Sequence, residues 1–360
     1  MDAVVIATVG MGLTAGLSFA QPAPASGKTA EQVFKNIQSL KGVPADQVLP
    51  AMQFISASLG VECSFCHVQG KMDLDEKKPK QTARQMIAMQ NAINKDSFGG
   101  HQEVTCYSCH RGAEHPAGTP AVLMADMPEH PEKPPASPAG PPITADQILD
   151  KYVAALGGEA AIKGVTSRVE SGVIVAGGQE TPIDVYAKAP NKRASIMHAP
   201  NGDSITAFDG SAGWLGNTGR PARDMSPAES DAFRLDADLY LPLDLKTTFK
   251  QLRTGRPEKI EDAECFTLIG IRPDEPPVRF YFDEKSGLMV RQIRYTQNPL
   301  GRMPTQIDYA DYKNVDGVQV PLKWTLARPN GRFTIQVNDI KQNVPVDDAK
   351  FIKPAAAGTK

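Results

Sequence analysis

Two five-residue segments of this 360-residue chain have the spacing needed to bind a porphyrin covalently. Each is Cys-x-x-Cys-His, at residues 63–67 and again at residues 106–110. Two thiols at this spacing can each add to one vinyl group of a single porphyrin, and the next imidazole can then bind its iron. A zinc or redox Cys-x-x-Cys pair would not require the histidine that follows both copies. The pattern therefore predicts two covalently bound haem c groups. The thioether-forming residues are Cys63, Cys66, Cys106 and Cys109, and the proximal iron ligands are His67 and His110.

A haem iron that only transfers electrons also needs a sixth ligand, and methionine is the best candidate in this chain. Met52 and Met86 lie on predicted amphipathic helices that precede the first and the second motif. A thioether ligand favours ferrous iron and raises the potential relative to a second histidine. At the second haem the choice stays open, because Met89 lies one turn from Met86 and His101 lies five residues before Cys106.

Helices are predicted to position both motifs. One begins at Thr29, which has a capping-box pattern, and continues through Leu40 on an apolar face. Two more are predicted over residues 44–59 and 81–95, so that each motif follows a helix carrying methionine. The lysines at 77, 78 and 80 are interpreted as a solvated run that flanks the last of these helices.

The N-terminal residues 1–20 are predicted to form a signal peptide. Residues 3–20 are apolar and end in the small-x-small triplet Ser-Phe-Ala before Gln21. Thioether attachment of haem takes place outside the energy-transducing membrane, which agrees with export to the periplasm. A retained membrane anchor is the alternative, because Asp2 stands where a basic residue is usual.

Length and composition divide the rest of the chain into two domains joined by a linker. Residues 29–115 are predicted to be a mainly α dihaem cytochrome c domain. Residues 116–142 are rich in proline and lack periodicity, which indicates an extended linker. Residues 143–354 are predicted to be an α+β domain with an antiparallel, open half-barrel-like sheet.

Period-two patterns dominate after a helix that opens at Thr144. A second helix is predicted from Ser226 to Leu239, and Cys265 is predicted to be a buried thiol. The candidate strands are residues 169–175, 183–187, 193–197, 205–208, 266–271, 278–282, 288–295, 306–312, 318–327 and 332–340.

The haem-binding half of the chain resembles the cytochrome c subunit of photosynthetic reaction centres over about residues 33–112. The resemblance is carried by three blocks, at residues 52–67, 83–94 and 104–112. In that family a methionine on the preceding helix ligates each such haem, which implies Met52 and Met86 here. The photosynthetic subunit carries four haems and this chain has two motifs. The resemblance therefore implies a two-haem relative that serves another chain of electron carriers.

The later half weakly resembles lipoprotein-carrier-like domains, in which an open half-barrel wraps a helix. The resemblance rests on the order of elements and on the closing patterns at residues 315–321 and 351–354. It implies a concave face that holds either an apolar ligand or a core.

These observations predict an exported dihaem c-type cytochrome that passes single electrons between a donor and an acceptor protein, including a membrane electron-transfer complex. The chain is interpreted as a carrier and not an enzyme, with no catalytic residue assigned. Its net charge of −2 does not indicate nucleic-acid binding. One alternative is a dihaem peroxidase-like enzyme with one open iron. The other is a periplasmic carrier or docking protein with accessory haems.

Overall fold

The computed structural model of the protein describes residues 27–116, 143–273, 275–329 and 331–354. The predicted signal peptide, and the predicted linker apart from residue 116, lie outside the described residues. Within the described ranges, no helix is both long enough and apolar enough to cross a lipid bilayer.

Residues 27–116, called the helical region below, are built around two longer helices, with short helical turns before, between and after them. The first longer helix ends at Gly60, whose positive φ of 68° is the left-handed cap that glycine favours. The second has Pro79 in its first turn, where a missing N–H costs nothing. The elements are α1 (Ala30–Val33), the 3-10 turn η1 (Ala45–Gln47), α2 (Val48–Leu59), α3 (Cys63–Cys66), α4 (Lys78–Ser97) and α5 (Cys106–His110).

Helix predictions in this region are partly wrong. The helix expected from Thr29 through Leu40 ends at Val33, because Phe34 is already extended, with a φ of −107° and a ψ of 143°. Leu40 is still buried, but it reaches the core from a turn. The helix expected over residues 44–59 starts as the turn η1, and the one expected over residues 81–95 extends from Lys78 to Ser97.

One antiparallel sheet of fourteen strands organises the described part of residues 143–354. Its order is β6-β5-β4-β3-β2-β1-β14-β13-β12-β11-β10-β9-β7, with β8 paired to β9. The strands are β1 (Ser167–Ala176), β2 (Gln179–Lys188), β3 (Lys192–Ala199), β4 (Gly202–Phe208), β5 (Gly213–Asn217), β6 (Arg220–Asp224), β7 (Gln251–Thr254), β8 (Glu258–Ile260), β9 (Ala263–Ile271), β10 (Val278–Asp283), β11 (Met289–Asn298), β12 (Gly301–Val315), β13 (Val318–Arg328) and β14 (Gly331–Gln342).

Helices cover one face of this sheet. Side chains from all four helices pack with Leu268, Phe280 and Phe282 into the largest buried cluster. The helices are α6 (Ala145–Ala155), α7 (Glu159–Lys163), α8 (Pro227–Ala237) and α9 (Leu241–Thr248), followed by the 3-10 turn η2 (Asp348–Lys350).

The sheet curves around helix α8. Strands β4 and β11 are seven strand spacings apart, which is roughly 33 Å in a flat sheet, yet both contact this one helix. Arg294 of β11 donates to Asp236 of α8 at 2.7 Å and 2.9 Å. Four spacings separate Arg193 from Trp324, and the guanidinium nevertheless lies 4.8 Å from the indole centroid. The concave face is thus filled by the protein's own side chains, which favours the core over the apolar ligand at this face.

The antiparallel sheet and its predicted strands are confirmed, while several short elements escaped prediction. Strands β5 to β8 and helices α7 and α9 were not expected. The first of these strands, Gly-Trp-Leu-Gly-Asn, is five residues long with two glycines, so it carries little of the β-branched pattern that marks a strand. Cys265 is fully buried, as expected.

A hairpin of the sheet docks into the helical region. The turn between β11 and β12 places Leu300 among the buried side chains of α2 and α4, where it is 1% exposed. The Gln90 side chain donates to the Leu300 carbonyl at 3.3 Å, and the Gln102 side chain donates to the Pro299 carbonyl at 2.6 Å. A Cβ on Gly301 would overlap the ring of Phe54. The helical region therefore shares its core with the sheet.

Candidate haem site

The two cysteines of each Cys-x-x-Cys-His motif lie on a single helical turn, α3 in the first copy and α5 in the second. Residues three apart in a helix lie on the same side, so the turn brings both thiols of a motif to one face. Thr105 precedes the second turn in an extended conformation, and its backbone N–H donates to the Ser108 hydroxyl at 3.0 Å. The local fold thus presents paired sulfurs, as attachment to two vinyl groups of one porphyrin requires.

All four thiols of the motifs are free of disulfides and reach the surface to different degrees. Cys63 and Cys109 are exposed, whereas Cys66 and Cys106 are half-buried. Burial raises the pKa of the Cys66 thiol and raises the pKa of Cys106 to about 11. Both half-buried sulfurs are therefore protonated thiols at neutral pH.

The two motif histidines are held in the same way. The Nδ1 of His67 lies 2.9 Å from the Met72 carbonyl oxygen, and the Nδ1 of His110 lies 3.1 Å from the Ala113 carbonyl oxygen. A carbonyl only accepts, so Nδ1 carries the proton in both rings and Nε2 keeps its lone pair. Neither Nε2 has a hydrogen-bond partner within the described residues. Burial also lowers the pKa of His67, which favours the neutral imidazole that binds iron.

The surface around the motifs fits a large apolar group. Seven large apolar side chains are exposed in the described ranges, and six of them lie in the helical region. They are Leu49, Met72, Met86, Met89, Phe98 and Tyr107. Soluble proteins rarely leave so many large apolar side chains exposed in one region. The buried core of this region is also small. The helical region therefore leaves apolar surface available to a large apolar group, and the residues present are compatible with haem.

The two motifs adjoin one another through glycine backbone. The Gly112 N–H donates to the Ser58 carbonyl at 2.8 Å, which ties the end of the second motif to the last turn of α2. Gly60 lies against the Gly112 carbonyl so closely that a Cβ there would overlap it. Because Cys63 follows Gly60 by three residues, this contact places the start of one motif beside the end of the other.

The candidate methionine ligands lie on helices α2 and α4, whereas His101 lies in the loop between α4 and α5. Met52 is half-buried on α2 and packs against the same apolar cluster as Cys106. Met86 and Met89 are 39% and 47% exposed on α4, which contacts both α3 and α5. His101 is exposed. The axial assignments remain predictions.

Sequence reasoning missed polar residues that shape this site. Asn94 is 6% exposed and accepts from the Val104 N–H at 2.9 Å, fixing the segment that leads into the second motif. Gln90 is 4% exposed and its amide oxygen lies 3.1 Å from the Cys106 sulfur. With Ile87 they occupy one face of α4 at helical spacing. Polar residues in an apolar stripe are the sequence feature that could have identified them.

The candidate site lies within a part of the chain that matches a known family. Residues 15–135 match the family model described as photosynthetic reaction centre cytochrome C subunit. The reaction center cytochrome c subunit of Thermochromatium tepidum is 31% identical over 94 residues, which are 25% of this chain and 23% of that protein. The subunit of Roseobacter denitrificans is 34% identical over 101 residues, or 24% of this chain and 26% of that one. The chain spans about a quarter of the length of these relatives.

Solved structures give a more distant likeness that covers over half of the chain. A LolA superfamily protein from Nitrosomonas europaea has a TM-score of 0.42 and 14% identity, covering 59% of this chain and 99% of that one. A DUF1329 family protein from Desulfovibrio piger has a TM-score of 0.42 and 12% identity, covering 57% and 96%. At these TM-scores the likeness does not establish a common fold.

Proposed function

We propose that this protein is an exported c-type cytochrome that binds two haems covalently and passes single electrons between redox proteins. One observation carries the proposal. Two Cys-x-x-Cys-His turns adjoin through Gly60 and Gly112, and each histidine presents an unprotonated Nε2 from a ring fixed by a backbone carbonyl. The match of residues 15–135 to a cytochrome c family supports it.

Each group of residues has a separate role in this proposal. Thioether bonds would hold the porphyrins to the polypeptide, and the histidine Nε2 atoms would ligate the irons. Met52 would supply the further ligand of the first iron and Met86 that of the second, with Met89 and His101 as alternatives for the second. The haem, when bound, supplies an iron that gains or loses one electron. The thioether bonds are formed by Cys63, Cys66, Cys106 and Cys109, and the proximal ligands are His67 and His110.

The remaining residues control the surroundings of the irons. The Met72 and Ala113 carbonyls fix the histidine rings, so little rearrangement accompanies a change of charge. Leu300 packs with side chains of α2, and this contact excludes water where the helical region meets the sheet. The proposed partners are an electron donor and an electron acceptor, one of them a membrane complex, and the proposed location is the periplasm.

Mass measurement tests the proposal directly. The full chain, secreted by a bacterium that attaches haem c, is expected to gain the mass of two haems. The double variant Cys106→Ala/Cys109→Ala is expected to gain one, because its first motif is intact. Protein that carries no added haem mass would refute the proposal. A high-spin band in the oxidised protein would favour the peroxidase-like alternative, in which one iron lacks a sixth ligand.

A change of the proposed ligand Met52 should alter one potential without loss of haem. Met52→His is expected to lower one of the two midpoint potentials, because imidazole favours ferric iron more than a thioether does. A potentiometric titration with haem mass as a companion measurement checks this. Gln53→His, which places the same side chain at the neighbouring position of α2, serves as the control. Two unchanged potentials in Met52→His would count against ligation by this residue.

A further inference from the structure

The carbonyl that holds the first histidine has a second donor. The Met72 oxygen accepts from His67 Nδ1 at 2.9 Å and also from the Lys80 ammonium at 2.9 Å. The same ammonium donates to the Leu74 carbonyl at 2.8 Å and lies 3.0 Å from an Asp75 carboxylate oxygen. Its three protons therefore have three acceptors, and the Lys80 side chain is only 11% exposed. A cation is thus fixed one carbonyl away from the proximal imidazole.

The second motif lacks this arrangement. His110 donates to the Ala113 carbonyl at 3.1 Å, and no lysine or arginine in the described ranges donates to that oxygen. The neighbouring Arg111 is exposed. The two proximal histidines therefore have similar primary contacts and different electrostatic surroundings.

We propose that Lys80 is a positioning residue that raises the midpoint potential of the first haem above that of the second. The inference rests on the proposed attachment of haem to both motifs. An oxygen that already accepts from an ammonium is a weaker acceptor for the His67 N–H, so the ring gains less anionic character and donates less to ferric iron. The fixed positive charge also disfavours the additional charge of the oxidised iron. Both effects favour the ferrous state of the first haem.

Asp75 limits the size of this effect. Its carboxylate accepts from both terminal nitrogens of Arg84 at 2.8 Å and from the Asn36 amide at 2.9 Å. Hydrogen bonds from Arg84, Asn36 and Lys80 hold the pKa of Asp75 well below its usual range, so it stays ionised. Removing the Asp75 charge should raise the first potential further, whereas removing the Lys80 charge should lower it. The opposite signs separate electrostatic tuning from a general loss of structure, which would move both variants the same way.

Unequal midpoint potentials would give electron transfer between the two haems a preferred direction. An electron that enters at the second haem would pass to the first, because the first holds it more tightly. The first haem would then be the one that remains reduced when the protein is half loaded.

Potentiometric titration of the full chain tests the proposal. Lys80→Met keeps the apolar stem of the side chain and removes its charge. It should lower the higher midpoint potential by about 59 mV, which is a tenfold change in the reduction equilibrium constant of a one-electron couple. The lower midpoint potential should not change. Asp75→Asn should raise the higher midpoint potential. Lys78→Met changes an exposed lysine of the same helix and should change neither. The variant Cys106→Ala/Cys109→Ala keeps only the first motif, so its titration shows which midpoint potential belongs to the first haem.

The outcomes are distinguishable. A protein without haem would refute the proposed function. Two attached haems with an unmoved first potential in Lys80→Met, or with shifts of equal sign in Lys80→Met and Asp75→Asn, would overturn the role of Lys80 alone. If circular dichroism shows that Lys80→Met does not fold, the Asp75→Asn titration decides: a raised first potential supports the proposal and an unmoved one overturns it.

Discussion

Replacing Leu300 with alanine is expected to lower the free energy of unfolding of the helical region by about 2–5 kcal/mol, the usual cost of truncating a buried leucine. The side chain is 1% exposed and belongs to the cluster that contains Phe54, Ile55 and Ile87. This cluster is small, so one lost side chain removes a large share of the apolar contacts. The same change also loosens the attachment of the sheet, because Leu300 lies at the tip of its docked hairpin.

Urea denaturation followed by haem absorbance and by far-UV circular dichroism checks this prediction. Leu49→Ala is the matched control, since it truncates the same residue type at a position on α2 that is 46% exposed. A large loss of unfolding free energy is expected only in Leu300→Ala. Equal behaviour of the two variants would show that the hairpin does not pack into the helical region.

Gly60→Ala is expected to be the most disruptive single methyl addition near the motifs. An alanine at a φ of 68° costs about 1–2 kcal/mol for its left-handed conformation alone. The added Cβ would also overlap the Gly112 carbonyl, which is backbone and cannot rotate away. The two motifs would have to separate, so the last turn of α2 and the hydrogen bond from Gly112 to Ser58 should both be lost.

Gly70→Ala gives this prediction its control. Gly70 has a φ of 74° and lies between the motifs, and a Cβ there would meet nothing within 4 Å. Both variants carry the conformational cost, but only Gly60→Ala carries the overlap. Thermal unfolding should therefore show a clearly larger loss of stability for Gly60→Ala. Equal losses would mean that the two motifs do not adjoin at this point.

The parts of this protein that could be predicted from sequence are those whose physics is local. Helix α4 was found because its apolar spacing lies within one segment, although it begins at Lys78 and not at residue 81. The hairpin of β10 and β11 was found for the same reason, since alternating residues flank the turn at residues 283–287. The proposed haem attachment rests on the same kind of local pattern, because five consecutive residues carry the attachment chemistry.

Long-range contacts explain what could not be predicted. Gln90 and the Leu300 carbonyl are 210 residues apart in sequence, and no periodicity links them. Lys80 looked like a member of a solvated lysine run, yet it is 9% exposed while Lys78 is exposed. Which lysine turns inward depends on the path of residues 71–75, and that path is set by hydrogen bonds from Asn36 and Arg84 rather than by local sequence.

The docked hairpin also constrains the order in which the mature protein can form. In a chain synthesised N-terminus first, both motifs are made long before Leu300, which follows Gln90 by 210 residues. Until that late segment arrives the helices lack part of their interior, including part of the cluster against which Cys106 packs. Strand β14 comes later still, yet it must insert between β1 and β13. Under the proposed function, haem attachment at the half-buried Cys106 would therefore be favoured before the hairpin docks.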